Sequence, residues 1–247
     1  MDVIGIIPAR YGSTRLAAKA LANILGKPMI QHIYERAKEA SVLDEVIVAT
    51  DDERIKKAVD SFGGKALLTS KEHTSGTERL TEVVFDMDVK VIVNIQGDEP
   101  LIHPSMINDV AYAILENQNI VMATLKQLIT DINEFNNPNV VKVITDKNNF
   151  AIYFSRSPLP NILRKKEGLD IPIYKHVGIY AYTKDFLLTF KGLRSSKLEL
   201  AESLEQLRAI ENGYKIKVLE TRHETISIDT QEDLDKVIDY LKNSINS

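Results

Sequence analysis

The chain has 247 residues, of which 44% are apolar and 27% charged, as is typical of a folded globular protein. A formal net charge of −4 gives no bulk positive field, so we expect no nucleic-acid partner. The absence of cysteine excludes a disulfide scaffold, zinc–thiolate sites and a thiol nucleophile. The opening MDVIGIIPAR lacks the features of a signal peptide, and no stretch reaches the ~20 apolar residues of a membrane span. We therefore expect a cytoplasmic protein with no membrane partner.

Strands and helices alternate in the first half of the chain. Short apolar, β-branched runs predict buried parallel strands at residues 3–8, 45–50, 66–70 and 89–96. Helical spacing of apolar residues predicts helices opening at Pro28, within DDERIKKAVDSFGG and ERLTEVVFDM, and over 104–117. This rhythm predicts an α/β fold with a mostly parallel mixed sheet and helices on both faces.

The pattern changes near residue 120. VMATLKQL, VVKVITD, FAIYFSR and VGIYAYT read as strands, which predicts hairpins or an antiparallel arm within about 120–182. Further on, KLELAESLEQLRAIENG predicts one amphipathic helix, YKIKVLE and TISID predict strands, and TQEDLDKVIDYLKNS predicts a closing helix capped by Thr230 and Asp233. We see no linker or repeat, so residues 1–247 are interpreted as one domain.

The loop after the first strand concentrates positive charge. Arg10, Arg15 and Lys19 lie within ten residues, with Gly12 and Ser13 between the arginines. The loop matches neither a Walker A sequence nor GxGxxG, and the alternative interpretation is a solvated basic loop. Since ligands bind at the carboxyl ends of parallel strands, we interpret the three cations as a site for a polyphosphate.

Carboxylates follow other strands. Asp98 in NIQGDEP follows a strong strand and is separated from the next helix by prolines, so we predict a metal ligand rather than a helix cap. Asp229 in ISIDT is predicted to be a second ligand, and Mg²⁺ the metal. We interpret Asp51 and Asp52 as helix caps, and Glu99 as a group that supports the metal site or contacts a sugar. The five histidines lack the spacing of a zinc site.

The ordered motifs resemble one enzyme family. IIPARYGSTRL, SGTERL, VNIQGDEP, AIYFSR, KHVGIYAY, LEQLR and IDTQEDL occur in this order across nearly the whole chain. Together they resemble 3-deoxy-manno-octulosonate cytidylyltransferase, which makes CMP-Kdo from CTP and 3-deoxy-manno-octulosonate (Kdo) for lipopolysaccharide assembly. The resemblance implies a Rossmann-like nucleotidyltransferase fold and a homodimer that uses the antiparallel arm.

The resemblance also implies roles for particular residues. Arg10, Arg15, Lys19 and Asp98 would be catalytic, and Asp98 and Asp229 would hold Mg²⁺. The nucleotide site would comprise Arg10, Gly12, Ser13, Lys19, Ser75, Gly76, Thr77, Arg79 and Gln96. The sugar site would comprise Arg156, His176, Tyr180, Glu205 and Gln206.

One stretch departs from the family pattern. The family usually has RLPGKPL where this chain has RLAAKAL, so alanines replace two prolines and a glycine. The cations remain, but the backbone loses φ restriction at two positions and a permissive residue at Ala18. If Ala18 adopts a positive φ, it is strained.

Two other functions fit the same residues. A cytidylyltransferase for 8-amino-Kdo or another acidic sugar would differ little at the level of motifs. A nucleotide-sensing protein without catalytic activity would retain the fold, although the complete set of cations and aspartates favours an enzyme.

Overall fold

The computed structural model of the chain describes residues 1–12, 16, 18–73, 75–162, 168 and 170–245. The strands are β1 (Val3–Ala9), β2 (Asn23–Ile24), β3 (Lys27–Pro28), β4 (Glu45–Thr50), β5 (Ala66–Leu68), β6 (Val91–Asn94), β7 (Met122–Leu128), β8 (Lys142–Thr145), β9 (Ala151–Ser155), β10 (Tyr174–Thr183) and β11 (Lys217–Glu220). The helices are α1 (Met29–Lys38), α2 (Glu53–Ser61), α3 (Gly76–Val84), α4 (Pro104–Leu115), α5 (Ile132–Asn136), α6 (Lys184–Gly192), α7 (Lys197–Glu202), α8 (Gln206–Glu211) and α9 (Gln231–Ile245). A 3₁₀ helix spans Lys19–Leu21.

The main sheet has the strand order β11-β7-β10-β6-β1-β4-β5. β1 is parallel to β4 and β6, β4 is parallel to β5, and β7 is parallel to β11. β10 runs antiparallel to both of its neighbours, β6 and β7. The predicted α/β class with a mostly parallel mixed sheet is confirmed.

Apolar side chains on the two faces of the sheet form two cores. Along β1, Val3 and Ile7 face one core and Ile4 and Ile6 the other, as the period of a strand requires. Helices α1, α2, α4 and α9 contribute to the first core, and α3, α6 and α8 contribute to the second. Both faces of the sheet are therefore covered by helices.

The order of the strands places a crevice beside β1. From β1 the chain moves outward to β4 and β5, and then returns through α3 to β6 on the other side of β1. Strand order reverses at this point, and the carboxyl ends of β1 and β6 open into the crevice where ligands of such sheets bind.

Within the region predicted as an antiparallel arm, residues 120–182, β8 and β9 form a hairpin, whereas β7 and β10 lie inside the main sheet. β8 pairs antiparallel with β9, and β8 also contacts β10 through the Lys175–Lys142 pair. Lys142 is fully buried, and its ammonium donates to the carbonyl oxygens of Asn137, Val140 and Arg156. These three acceptors match the three N–H donors of a lysine. Lys142 therefore connects the segment before β8 with the segment after β9.

Two predicted elements are wrong. The single helix expected over 197–213 is two short helices, because Ser203 adopts a left-handed conformation with φ 53° and ends α7. The strand expected at TISID is irregular, although the N–H of Ile228 donates to the carbonyl oxygen of Asp98 at 2.9 Å. In both places the apolar spacing indicated burial correctly, while the backbone followed hydrogen bonds that apolar spacing does not encode.

Ala18 takes the strained conformation that the family's glycine would adopt freely. Its φ of 52° and ψ of 35° lie in the left-handed region, and its carbonyl oxygen accepts from Leu21 N at 2.7 Å at the start of the 3₁₀ helix. A residue with a Cβ loses about 1–2 kcal/mol in this conformation.

We expect Ala18→Gly to raise the free energy of unfolding by up to about 1 kcal/mol, because relief of this strain exceeds the entropy that glycine gains in the unfolded chain. Urea denaturation measures the change. Ala22→Gly is the matched control: Ala22 has φ −55°, so the same substitution should destabilise by about 0.5–1 kcal/mol. Equal destabilisation by both variants would contradict the assignment of strain to Ala18.

Candidate functional site

The end of β1 is the junction on which the candidate site is built. A methyl group placed on Gly97 would lie 2.4 Å from the carbonyl oxygen of Pro8, and one on Gly76 would lie 3.4 Å from Pro8 Cγ. The loop after β6 and the first turn of α3 thus both pack directly against Pro8. Gly97 has a steric reason to be glycine, since any side chain there would push the QGDEP loop away from β1.

A cation between two carboxylates lies at this edge of the sheet. Lys19 Nζ lies 3.0 Å from Asp98 Oδ2 and 3.1 Å from Asp229 Oδ1. The lysine side chain is only 16% exposed, so solvent screens these interactions weakly. The structure therefore brings together three of the predicted residues from distant parts of the sequence. Arg15 and Ser13, also predicted for this site, lie outside the described residues.

The donor set fits the predicted Mg²⁺. Asp98 and Asp229 present carboxylate oxygens from two chain segments toward one positive charge, and Mg²⁺ prefers such oxygens. Within the described ranges no cluster of three or more His, Cys, Asp or Glu is arranged to hold a metal. Two carboxylates are nevertheless sufficient, because Mg²⁺ usually completes its octahedron with water and phosphate oxygens.

Glu99, beside Asp98, is a buried and uncharged acid. It is 7% exposed, and its Oε2 has no hydrogen-bond partner among the residues that the structure describes. Burial, together with the negative charge of Asp98, raises the pKa of Glu99 to about 8. At neutral pH Glu99 therefore adds no third negative charge to the cluster.

The first lobe of the crevice is a cavity of about 220 Å³ beside the cationic loop. It is lined by Pro8, Ala9, Arg10, His73, Ser75, Gly76 and Arg79. Four of these residues were predicted for the nucleotide site. Ser75 is the N-cap of α3, and its hydroxyl accepts from Glu78 N at 3.2 Å. Gly12 is exposed and does not line the lobe.

Arg79 fixes the wall of the first lobe. It is 4% exposed, and its guanidinium donates to Asp51 Oδ2 at 3.0 Å and to the hydroxyl of Thr69. Asp51 also accepts from Tyr11 N at 3.4 Å. The prediction that Asp51 caps a helix is wrong, because Asp52 is the N-cap of α2 and Asp51 instead holds Arg79.

The second lobe, of about 210 Å³, shares Pro8 and Gly76 with the first. Its other lining residues are Thr77, Asn94, Gln96, Met122, Tyr180, Tyr182, Phe190, Glu205 and Gln206. Thr77 Oγ1 donates to Glu205 Oε2 at 2.6 Å, and Gln96 Nε2 donates to the carbonyl oxygen of Gly178 at 2.9 Å. The nucleotide and sugar residues predicted from separate motifs therefore line one polar and aromatic cavity.

Two tyrosines of β10 keep their protons in this lobe. Burial raises the pKa of Tyr180 well above its usual value, with smaller contributions from Tyr182 and the charge of Glu205. Burial likewise raises the pKa of Tyr182. Both phenols are therefore neutral and able to donate hydrogen bonds at physiological pH.

Arg156 and His176, predicted for the sugar site, do not line either lobe. Arg156 donates from Nε to the carbonyl oxygen of Glu202 at 2.8 Å and from Nη1 to that of Pro138 at 3.2 Å. Its own N–H donates to Glu202 Oε2 at 2.9 Å. In this conformation Arg156 holds the end of α7, and its predicted contact with a sugar carboxylate remains a prediction.

His176 lies behind Tyr180, with ring centroids 5.3 Å apart. Its Nε2 is 2.9 Å from Thr124 Oγ1, whose hydroxyl already donates to the carbonyl oxygen of Ile179 at 2.7 Å. The histidine is therefore the donor in this pair, which fixes the Nε2–H tautomer. Burial lowers the pKa of His176 to about 3, so the ring is neutral at physiological pH.

Several lining residues were not predicted from the sequence. Asn94 ends a strongly apolar strand in VIVNIQ, and His73 lies two residues before Ser75 of the SGTER segment. A polar residue at the end of a buried strand is a signal that could have identified Asn94. Tyr182 and Phe190 gave no such signal, since aromatic residues in a strand or helix most often belong to a core.

Comparison with known proteins gives a consistent result. A family model described as cytidylyltransferase matches residues 4–217. A 3-deoxy-manno-octulosonate cytidylyltransferase of Geotalea uraniireducens is 53% identical over 98% of this chain and 100% of its own length. That of Fusobacterium nucleatum is also 53% identical, over 98% of each chain.

Solved structures agree on the fold. The structure of a CMP:2-keto-3-deoxy-manno-octonic acid synthetase complexed with CTP has a TM-score of 0.93 and 42% identity, covering 99% of this chain and all of that one. A 4-diphosphocytidyl-2C-methyl-D-erythritol synthase from Anaerococcus prevotii has a TM-score of 0.63 at 16% identity, with 98% of each chain covered, and shares the fold alone. Among the described residues, no helix is long and apolar enough to cross a membrane.

The buried neutral state of His176 predicts a pH dependence of stability. Because folding lowers the pKa of His176 from 6.5 to about 3, its contribution is complete above pH 6.5 and is lost as the pH falls through this range. Between pH 7 and 5 the free energy of unfolding of the wild type should fall by about 2 kcal/mol more than that of His176→Gln. Urea titrations at both pH values measure the difference, and parallel curves for the two proteins would contradict the prediction.

Proposed function

The chain belongs to the 3-deoxy-manno-octulosonate cytidylyltransferases, and we propose that it uses the two lobes to join CTP and Kdo into CMP-Kdo and pyrophosphate. The observation that carries the proposal is the Lys19–Asp98–Asp229 cluster beside the crevice at the end of β1. CTP would occupy the first lobe, where Arg10 and the N-terminus of α3 favour negative charge. The sugar acid would occupy the second lobe, whose polar groups suit a polyhydroxylated ligand.

The reaction needs positioning and charge stabilisation more than covalent chemistry by the protein. The C2 hydroxyl oxygen of Kdo attacks the α-phosphorus of CTP, the hydroxyl loses its proton, and the bond from phosphorus to the pyrophosphate oxygen breaks. Arg10 and Lys19 would stabilise the negative charge that develops on the phosphate oxygens. The shared wall at Pro8 and Gly76 would hold the two substrates side by side.

Asp98 and Asp229 are the residues that would hold Mg²⁺. When bound there, the metal would supply Lewis-acid chemistry, offsetting negative charge on the phosphates and making the attacking hydroxyl more acidic. In the structure Lys19 bridges the two carboxylates and offsets one of their two negative charges, which holds them close to one another. Lys19 would then contact the phosphates of CTP from the same position.

We further propose a cytoplasmic homodimer that supplies CMP-Kdo for lipopolysaccharide assembly. Support for a dimer comes from exposed apolar side chains within residues 120–182: Leu128 at the end of β7, Ile132 in α5 and Ile152 in β9 are 43%, 57% and 56% exposed. A cytoplasmic location suits an enzyme that consumes CTP, a nucleotide of the cell interior.

A panel of acidic sugars tested with CTP and Mg²⁺ for pyrophosphate release examines the function. We expect turnover with Kdo, and Lys19→Ala should lower kcat at least ~100-fold because a charge-stabilising donor is lost. Lys27→Ala, which removes only an exposed ion pair with Glu35, is the matched control and should retain wild-type turnover. A preference for 8-amino-Kdo would change the substrate assigned here. Nucleotide binding without pyrophosphate release would indicate a sensor.

The predicted metal ligand has a separate test. We expect Asp98→Asn to lose turnover and the heat of Mg²⁺ binding that exceeds the heat of mixing Mg²⁺ and CTP without protein, because a neutral amide is a poorer ligand for a hard cation. Asp60→Asn, at an exposed helix pair with Lys56, is the control. Retention of magnesium-dependent turnover by Asp98→Asn would count against Asp98 as a ligand.

A further inference from the structure

Asn94 is a polar residue placed at the inner wall of the second lobe. It ends β6, opposite Tyr180 of β10 and Ile6 of β1, and is 5% exposed. Its side-chain oxygen Oδ1 has no hydrogen-bond partner anywhere in the described part of the chain. The residue lines the same cavity as Gln96, Tyr180 and Glu205. An unpaired amide oxygen therefore lies at a wall that a ligand would touch.

Such an arrangement is unfavourable for an empty protein. A buried carbonyl oxygen loses its hydrogen bonds to water. Without a new donor, this desolvation cost lowers the stability of the folded protein. Two other polar side chains of the lobe are already paired, since Thr77 donates to Glu205 and Gln96 donates to Gly178. The side chain of Asn94 shares a hydrogen bond with the Tyr182 hydroxyl, which leaves Oδ1 as its unpaired atom. Asn94 differs from Thr77 and Gln96 because its acceptor atom Oδ1 has no donor among the described residues.

The chemistry of the atom restricts the part of the ligand that it can recognise. Oδ1 of an asparagine accepts hydrogen bonds and cannot donate them. A carboxylate or phosphate of the substrates, which only accepts, is excluded as its partner. The hydroxyls of the sugar acid supply the required donor. The ribose hydroxyls and the amino group of CTP are donors too, but the proposed function places CTP in the first lobe.

We propose that Asn94 is a specificity-determining residue that accepts a hydrogen bond from a non-reacting hydroxyl of the sugar acid. This inference rests on the proposed function, which places the sugar acid in the second lobe. A site built to hydrogen-bond a substrate hydroxyl rejects an analogue that lacks it, because the buried group then stays unpaired. Asn94 thereby selects against deoxygenated sugars rather than contributing charge to catalysis.

The test compares Kdo with analogues that each lack one non-reacting hydroxyl. For the wild type, kcat/KM should be at least ~10-fold lower for one of these analogues than for Kdo. In Asn94→Leu, which has similar volume and no acceptor, that analogue and Kdo should react with similar kcat/KM, whereas the other analogues keep their wild-type ratios to Kdo. The KM for CTP should stay within about twofold, since the hydrogen bond concerns only the sugar.

Asn94→Asp is the matched variant, because it retains Oδ1 as an acceptor. It should keep the discrimination between Kdo and the same analogue even if its overall turnover is lower. Thermal unfolding shows whether each variant is folded, and Asn94→Asp alone suffices if Asn94→Leu does not fold. Loss of discrimination in Asn94→Asp would then overturn the proposal.

The outcomes separate the inference from the function on which it rests. If the wild type turns over Kdo but Asn94→Leu keeps every wild-type ratio, the role of Asn94 is wrong and the function stands. An increase in the KM for CTP as large as that for Kdo would also overturn it, since it would indicate a structural role. If the wild type releases no pyrophosphate with any acidic sugar, the function and the inference both fail.

Discussion

The attraction of Lys19 to Asp98 and Asp229 is the constraint around which the rest of the site is arranged. Two carboxylates this close to one ammonium would repel each other if the cation were removed, and the pairs are only partly open to solvent. The interaction joins the 3₁₀ helix, the loop after β6 and the segment before α9. The stacked rings of His103 and His223, with centroids 3.7 Å apart, connect two of these segments again. The candidate metal ligands are thereby held in place by the chain itself.

The reversed strand β10 gives the second lobe its chemistry. Because β10 lies antiparallel between β6 and β7, Tyr180 comes opposite Asn94 at the carboxyl end of β6. The pairing of β10 with β7 is irregular between Val177 and Tyr180, and a bulge of this kind redirects the side chains around it. Here the carbonyl oxygen of Gly178 within the bulge accepts from Gln96. An irregularity in the sheet thus fixes a predicted ligand-contacting side chain.

The sequence predicted the elements whose apolar residues recur at one regular spacing, and the side chains that follow directly after strands. β1 and β4 could be read from apolar runs, and Lys19 could be grouped with Asp98 because the carboxyl ends of parallel strands meet. Asp229 was grouped with them from a predicted strand that the structure replaces by irregular chain. The break at Ser203 could not, because it depends on Arg156 and Glu202, which come from different elements. Arg156 was predicted at the sugar, yet its hydrogen bonds to backbone carbonyls are decided by tertiary contacts. The antiparallel direction of β10 was only partly predicted, because the spacing of predicted strands does not show which strands become neighbours in the sheet.

Some polar and charged groups of the crevice have partners within the protein and others do not. Which groups are paired follows from where charge is needed. Lys19 offsets one of the two negative charges of Asp98 and Asp229, and burial together with the charge of Asp98 raises the pKa of Glu99 to about 8, so Glu99 adds little further charge. In the second lobe Glu205 supplies a carboxylate that accepts from Thr77, and Asn94 adds no further charge because its amide is neutral. A protein that must bring together two anionic substrates gains from a wall without further negative charge, since each added carboxylate would repel both. Recognition of the sugar then falls to hydrogen bonds, and an acceptor left unpaired in the empty protein, as at Asn94, gains most from a hydroxyl that reaches it.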